Sequence, residues 1–227
     1  MTTIASTDRA VRTAVQEELD WSPDVDSTRI GVAVDEGVVT VSGQVDTYAE
    51  RMAALRAVHR VRGVRAVVDD VAVQPSGRSA ASELDVAREV EHALDWASDV
   101  PAEVRAEIRG HDVTLTGEVD WEFQRLAAKR AIEHLRGIRN VTNRITLRAR
   151  PSAADTQEHI RRALTRNAQL DAEGIDVSVS DCTVTLTGTV QSWAEKQQAN
   201  HAAWASPHVA EVIDRIVVHD QGEEGTS

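Results

Sequence analysis

The feature that most constrains this chain is a seven-residue stretch that occurs three times. It reads Val39-Thr40-Val41-Ser42-Gly43-Gln44-Val45, then Val113-Thr114-Leu115-Thr116-Gly117-Glu118-Val119, then Val184-Thr185-Leu186-Thr187-Gly188-Thr189-Val190. Apolar or β-branched residues alternating with Thr and Ser describe a half-buried strand, and each copy carries one Gly at the same place near its end. The glycines lie 74 and then 71 residues apart in a chain of 227. Such a period divides the chain into three small units rather than one large domain.

Units of this size bury only about 60% of the surface that their unfolded chains expose, so contacts between neighbours would add useful stability. A packed array is therefore expected rather than separate beads. The net charge is −12, smallest in the second unit and largest in the third. That field disfavours nucleic acid and anionic headgroups at long range, and no nucleic-acid partner is expected. The single cysteine, Cys182, excludes an internal disulfide framework and is expected in a hairpin turn. Residues 1–12 show no apolar signal region, and no stretch approaches the ~18 apolar residues of a membrane span, so a cytoplasmic location is expected.

Along the chain, Val11, Val15 and Leu19 form one stripe of a helix over Asp8 to Trp21, which Pro23 stops. Ile30, Val32 and Val34 mark a strand; Asp35-Glu36-Gly37 makes a hairpin turn; and Val38 to Val45 returns. Thr47 and Glu50 form a capping box for a helix to about Arg62. Gly63 caps it, and Val67 to Val73 form a last strand. The second unit repeats this order, with Val86, Val90 and Leu94, then Val104 to Ile108, Asp112 to Val119, a helix ending at Gly137, and Val141 to Leu147. The third uses Ile160 and Leu164, Ile175 to Val179, Thr183 to Val190, a capping box at Ser192 and Glu195, and Val212 to Val218. The units are placed at 1–75, 82–150 and 151–220, with a frayed tail at 221–227. Within each, a helix crossing between the second and third strands requires those strands to be parallel.

Three strands of the form V-T-L-T-G-x-V, each followed by a helix, together with Gly137-Ile138-Arg139-Asn140-Val141-Thr142-Asn143-Arg144-Ile145, resemble the bacterial BON domain. The resemblance covers about residues 8–219. It implies an α+β fold: three tandem αββαβ units, each a small three-stranded mixed sheet with two helices packed on one face. It also implies no enzymatic activity, and an association with osmotic shock and phospholipid binding. The chain departs from the family in unit three, where His208 replaces the capping Gly63 and Gly137.

Candidate sites are few. Gly43, Gly117 and Gly188 precede a helix start, as a phosphate loop does, but no further glycine follows. They read as structural glycines, marking a bulge or a close helix contact; Gly63 and Gly137 are structural too, as helix caps. The eight histidines contain no i, i+4 pair, and no catalytic residue, cofactor or metal site is assigned.

The aromatics are more informative. Trp21 and Trp96 follow Leu19-Asp20 and Leu94-Asp95 and are expected to act as lids on their cores. Tyr48, Trp121, Phe123 and Trp193 gather at starts of second helices, where an aromatic bridges to a neighbouring unit. Trp204 stands at the place of His59 and Glu133 among core positions that hold only Ala. It either fills a gap against another unit, the favoured reading, or is an exposed anchor. Arg125, Lys129 and Arg136 form a basic stripe suited to a phosphate headgroup or an acidic partner. These eight residues are the candidate contacts for a phospholipid surface or a protein partner. The expectation is a non-catalytic, stress-associated binding protein; the alternatives are a self-associating or partner-binding scaffold without lipid activity, or a binder of small ions or metabolites.

Overall fold

The computed structural model describes residues 2–74, 82–148, 156–166, 174–206 and 209–218. The linker beyond Gln74, the joint around Pro151, the His208 cap and the tail lie outside the described residues, as do the side chains of Leu164 and Arg166. The fold is α+β. Unit one contains α1 (Thr2–Trp21), β1 (Ile30–Asp35), β2 (Val38–Val45), α2 (Tyr48–Arg60) and β3 (Ala66–Val73). Unit two contains α3 (Glu83–Trp96), β4 (Arg105–Arg109), β5 (Asp112–Thr116), β6 (Glu118–Val119), α4 (Glu122–Ile132), β7 (Asn140–Asn143) and β8 (Thr146–Leu147). Unit three contains α5 (Thr156–Arg166), β9 (Ile175–Ser180), β10 (Thr183–Val190), α6 (Trp193–Trp204) and β11 (Glu211–Val218).

In each unit the repeated strand lies in the middle. β2 pairs antiparallel with β1, from Ile30 opposite Gly43 to Asp35 opposite Val38. It pairs parallel with β3, from Val38 opposite Ala66 to Val45 opposite Val73. β10 repeats both pairings with β9 and β11. In unit two the central strand breaks at Gly117, and its parallel partner breaks at Arg144-Ile145, so β5–β7 and β6–β8 form two short parallel ladders.

Alternation decides which face is buried. Val39, Val41 and Val45 are buried with Val11, Val15 and Leu19 of α1 and with Ala54, Ala57 and Val58 of α2. Both helices thus cover the same side of the sheet. Polar contacts fix the helices to the turns they meet. The Asp8 carboxylate accepts the backbone N–H groups of Glu36 (3.1 Å) and Gly37 (3.0 Å), and Glu83 accepts that of Gly110 in unit two (3.0 Å). Both turn residues of the first hairpin have positive φ, 49° at Glu36 and 77° at Gly37, the backbone that matches the twist of the flanking strands. The Thr47 hydroxyl accepts the Glu50 N–H at 3.1 Å. The Glu50 carboxylate takes the N–H groups of Asp46 and Asp26, both at 3.0 Å, which also fastens the loop before β1 to the start of α2.

Two expectations require correction. Gly43, Gly117 and Gly188 do not mark helix contacts. Their φ values are 132°, 136° and 125°, and an added Cβ would run into the backbone carbonyl oxygens of Arg29, Glu103 and Gly174 respectively, just ahead of the first strand. Trp21 and Trp96 are not lids: they are 86% and 79% exposed. The buried stripes end at Leu19 and Leu94, and a residue two places further lies about 200° around the helix, on its opposite side.

The glycine geometry predicts that Gly43→Ala destabilises unit one by at least about 2 kcal/mol, since both the backbone conformation and the space are denied to a side chain. Urea unfolding followed by circular dichroism checks this; an unchanged midpoint would contradict it.

Candidate binding surface and the joints between units

The second helices α2, α4 and α6 bring the units together. Counted from the valine that closes each repeated strand (Val45, Val119, Val190), the third residue is Tyr48, Glu122 or Trp193, the sixth is Arg51, Arg125 or Lys196, and the fourteenth is His59, Glu133 or Trp204. The early positions of each helix meet the late positions of the next.

In the first joint, Tyr48 is 3% exposed and belongs to the core of unit two, with Met52 packed beside it. Burial, and to a smaller degree the nearby Glu133 carboxylate, push the Tyr48 phenol above its ordinary pKa. A cleft of about 580 Å³ opens alongside, between Arg51 and residues 71–74 of unit one and His111, Asp112, Gly137, Arg139 and Asn140 of unit two. In the second joint, the Arg125 guanidinium carbon lies 4.6 Å from the centre of the Trp204 ring. Trp204 and Ala210 pack against the core of unit two, while Trp204 also covers the core of unit three. In the third joint, Trp193 packs on the core of unit one, its ring centre 4.8 Å from that of His59 at an interplanar angle of 52°.

The direction is the same each time: unit one onto two, two onto three, and three onto one. A contact between unlike surfaces, repeated with one hand, closes when the rotation per step is about a third of a turn. The three units therefore form a ring with approximate threefold symmetry.

Local chemistry explains why Arg125 belongs to a joint. In units one and three the basic residue turns back to its own last strand: Arg51 lies 2.8 Å from Asp69, and Lys196 lies 3.5 Å from Asp214. Unit two has Asn143 at that place, and its amide donates to the Arg125 carbonyl oxygen at 2.9 Å. With no carboxylate on the strand, the guanidinium pairs with Glu122 (2.7 Å) and covers Trp204. Burial pushes the Glu122 carboxyl upward, opposed by its hydrogen bond to Arg125 and by the charges of Arg125 and His201.

The candidate contacts thus separate into two groups. Tyr48, Trp193, Trp204 and Arg125 are engaged between units. This corrects the expectation that Tyr48, buried as it is, serves as an external contact, and it removes Arg125 from a free basic stripe. Trp121 (37% exposed) and Phe123 (53%) remain at the surface, Lys129 is half-buried, and Arg136 is exposed. The structure adds Trp21 and Trp96, at corresponding places in units one and two. A groove of about 710 Å³ lies between α3 and β4, lined by Leu94, Val100, Pro101 and Ile108 together with Glu91, Asp95 and Arg105. The spacing from Leu19 and Leu94 was the signal for their exposure. Among the described residues, no group of three His, Cys, Asp or Glu is placed to hold a metal ion, and no helix is long and apolar enough to cross a membrane.

The BON domain model matches residues 7–75, 82–149 and 152–220, and the chain belongs to the BON domain family. It is similar to osmotically-inducible protein Y of Escherichia coli (strain K12), with 29% identity over 141 residues, 60% of this chain and 70% of that protein. Among solved structures, CdsD, a structural protein of the type III secretion system of Chlamydia trachomatis, aligns over 93% of both chains at 14% identity and a TM-score of 0.28. The PrgH periplasmic domain aligns over 85% of this chain and 96% of that chain at 11% identity and a TM-score of 0.22. At such scores these two likenesses carry no argument.

The third joint predicts a pH dependence. Burial depresses the pKa of His59 below the ordinary 6.5, so the joined state holds fewer protons than the parted one. The joint is at full strength above that value and weakens as pH falls through it. Trp193 emission, taken as wild type minus Trp193→Phe, should shift to the red between about pH 8 and about pH 5, and His59→Phe should abolish the shift. A shift that survives His59→Phe would contradict this.

Proposed function

We propose that this chain is a non-catalytic, stress-associated BON protein whose ring of units presents Trp21 and Trp96, with Trp121 and Phe123, to a phospholipid surface. The observation that carries the reading is the exposure of two large indoles at corresponding helix ends, where neither contributes to its own core. Indoles at an interface bury an apolar body while keeping a polar N–H hydrated. The reading requires that one surface reach both indoles, which occupy corresponding places in units one and two. The family and its osmotically inducible relative support the stress association. The same reading keeps the chain in the cytoplasm.

The surroundings of these indoles favour a second reading. Asp20 and Asp24 flank Trp21, and Asp95 and Asp99 flank Trp96. Carboxylates repel anionic headgroups and attract a basic protein surface. An adaptor that docks on a basic partner through the same residues is the alternative.

Co-sedimentation with vesicles of phosphatidylcholine, alone and with phosphatidylglycerol, separates the two. The lipid reading predicts binding to the neutral vesicles, reduced by anionic lipid and lost at least tenfold in a Trp21→Ser/Trp96→Ser double variant. Absence of binding at every composition would leave the adaptor reading.

A further inference from the structure

The three joints are built on one plan but are not equally secured. Units one and two are consecutive in the chain, as are units two and three, so each of those joints is held by covalent connection as well as by contact. The joint of unit three with unit one has side chains alone. Among the described residues it also holds two buried polar atoms without a hydrogen-bond partner. The Nδ1 of His59 and the Nε1 of Trp193 are the two, while the second joint holds one such atom, the Oε2 of Glu122, beside the Arg125 guanidinium. Buried polar atoms left unpaired favour separation, because water satisfies them once the surfaces part.

When this joint parts, the chain offers two surfaces: the start of α6 around Trp193, and the end of α2 around His59. They fit each other, as the closed joint shows. A second copy opened in the same way offers the same two surfaces, and the first copy's unit three fits the second's unit one as well as it fits its own.

We propose that the α6–α2 joint is an exchangeable interface, and that its partner is a second copy of this chain. Unit one of each copy takes the seat of the other's, so two rings of three units form across the pair, and unit one's joints with unit three and with unit two are both rebuilt between copies. No new contact is needed, so the balance between one chain and two is set by concentration, with the tethered joint favoured when the protein is dilute. This inference is independent of the lipid reading.

Complementation tests it. His59→Ala and Trp193→Ala each spoil one half of the joint, and neither residue lies in the fully buried core. In an exchanged pair of the two variants, unit three of the His59→Ala chain meets unit one of the Trp193→Ala chain, which restores one joint in full. The variants are incubated together at high concentration and then examined by native mass spectrometry, which tells them apart by mass. The expected result is a mixed dimer at least several-fold more abundant than either variant's own dimer, alongside a wild-type dimer fraction that rises with concentration. Dimers in purely statistical proportions would place self-association on another surface and overturn the proposal. A wild-type chain that stays monomeric at every concentration would overturn it too.

Discussion

The arrangement of this molecule depends on one contact: an early residue of each second helix against a late residue of the next. Each instance uses different chemistry. A buried phenol faces unit two, a guanidinium lies over an indole, and an indole meets an imidazole. Aromatic and cation–π contacts of this kind contribute about 0.5–1.5 kcal/mol each beyond the area they bury. That is modest for one contact. Three that close on each other, for units too small to be securely stable alone, hold each unit at two places.

The unit itself makes the joint possible. A glycine at positive φ lets the central strand pass close to the backbone ahead of the first strand, and the capping residues then start the second helix at a fixed distance from the strand's closing valine. The Glu50 carboxylate ties that start to the loop before β1 as well. Since strand end, cap and helix start are set by the same short interval in every unit, the third, sixth and fourteenth positions fall at the same places. A single substitution redirects one of them: Asn143 stands where Asp69 and Asp214 hold their basic partners, and Arg125 turns outward to Trp204 as a result.

Much of this was legible in the sequence. Alternation in the repeated strands, the four-residue stripes in the first helices and the capping pairs describe local physics, and local physics does not depend on neighbouring units. The central strand Val38–Val45 has the ends its pattern implied. The parallel run of β3 follows from a crossover helix. Exposure was harder to read. Trp21 and Trp96 look like core residues by type, and only their phase relative to Leu19 and Leu94 shows that they face water. The role of the repeated glycines was equally hidden, because the carbonyl each must avoid lies about 14 residues earlier in the chain. The partnering of helices was least accessible. Tyr48, Trp193 and Trp204 announce that something is bridged, but a residue list does not say that unit three returns to unit one, since closure depends on the angle between successive units.

The contact between His59 and Trp193 joins the first unit to the last, and a double-mutant cycle on that pair tests ring closure most directly. Stabilities of the wild type, the two alanine variants and the double variant would be measured at about pH 8, where the imidazole is neutral. A closed ring predicts a coupling of about 0.5–1.5 kcal/mol, so that the second substitution costs less once the first is in place. Strictly additive losses would mean that the two side chains do not meet in solution, and that the three units form an open row.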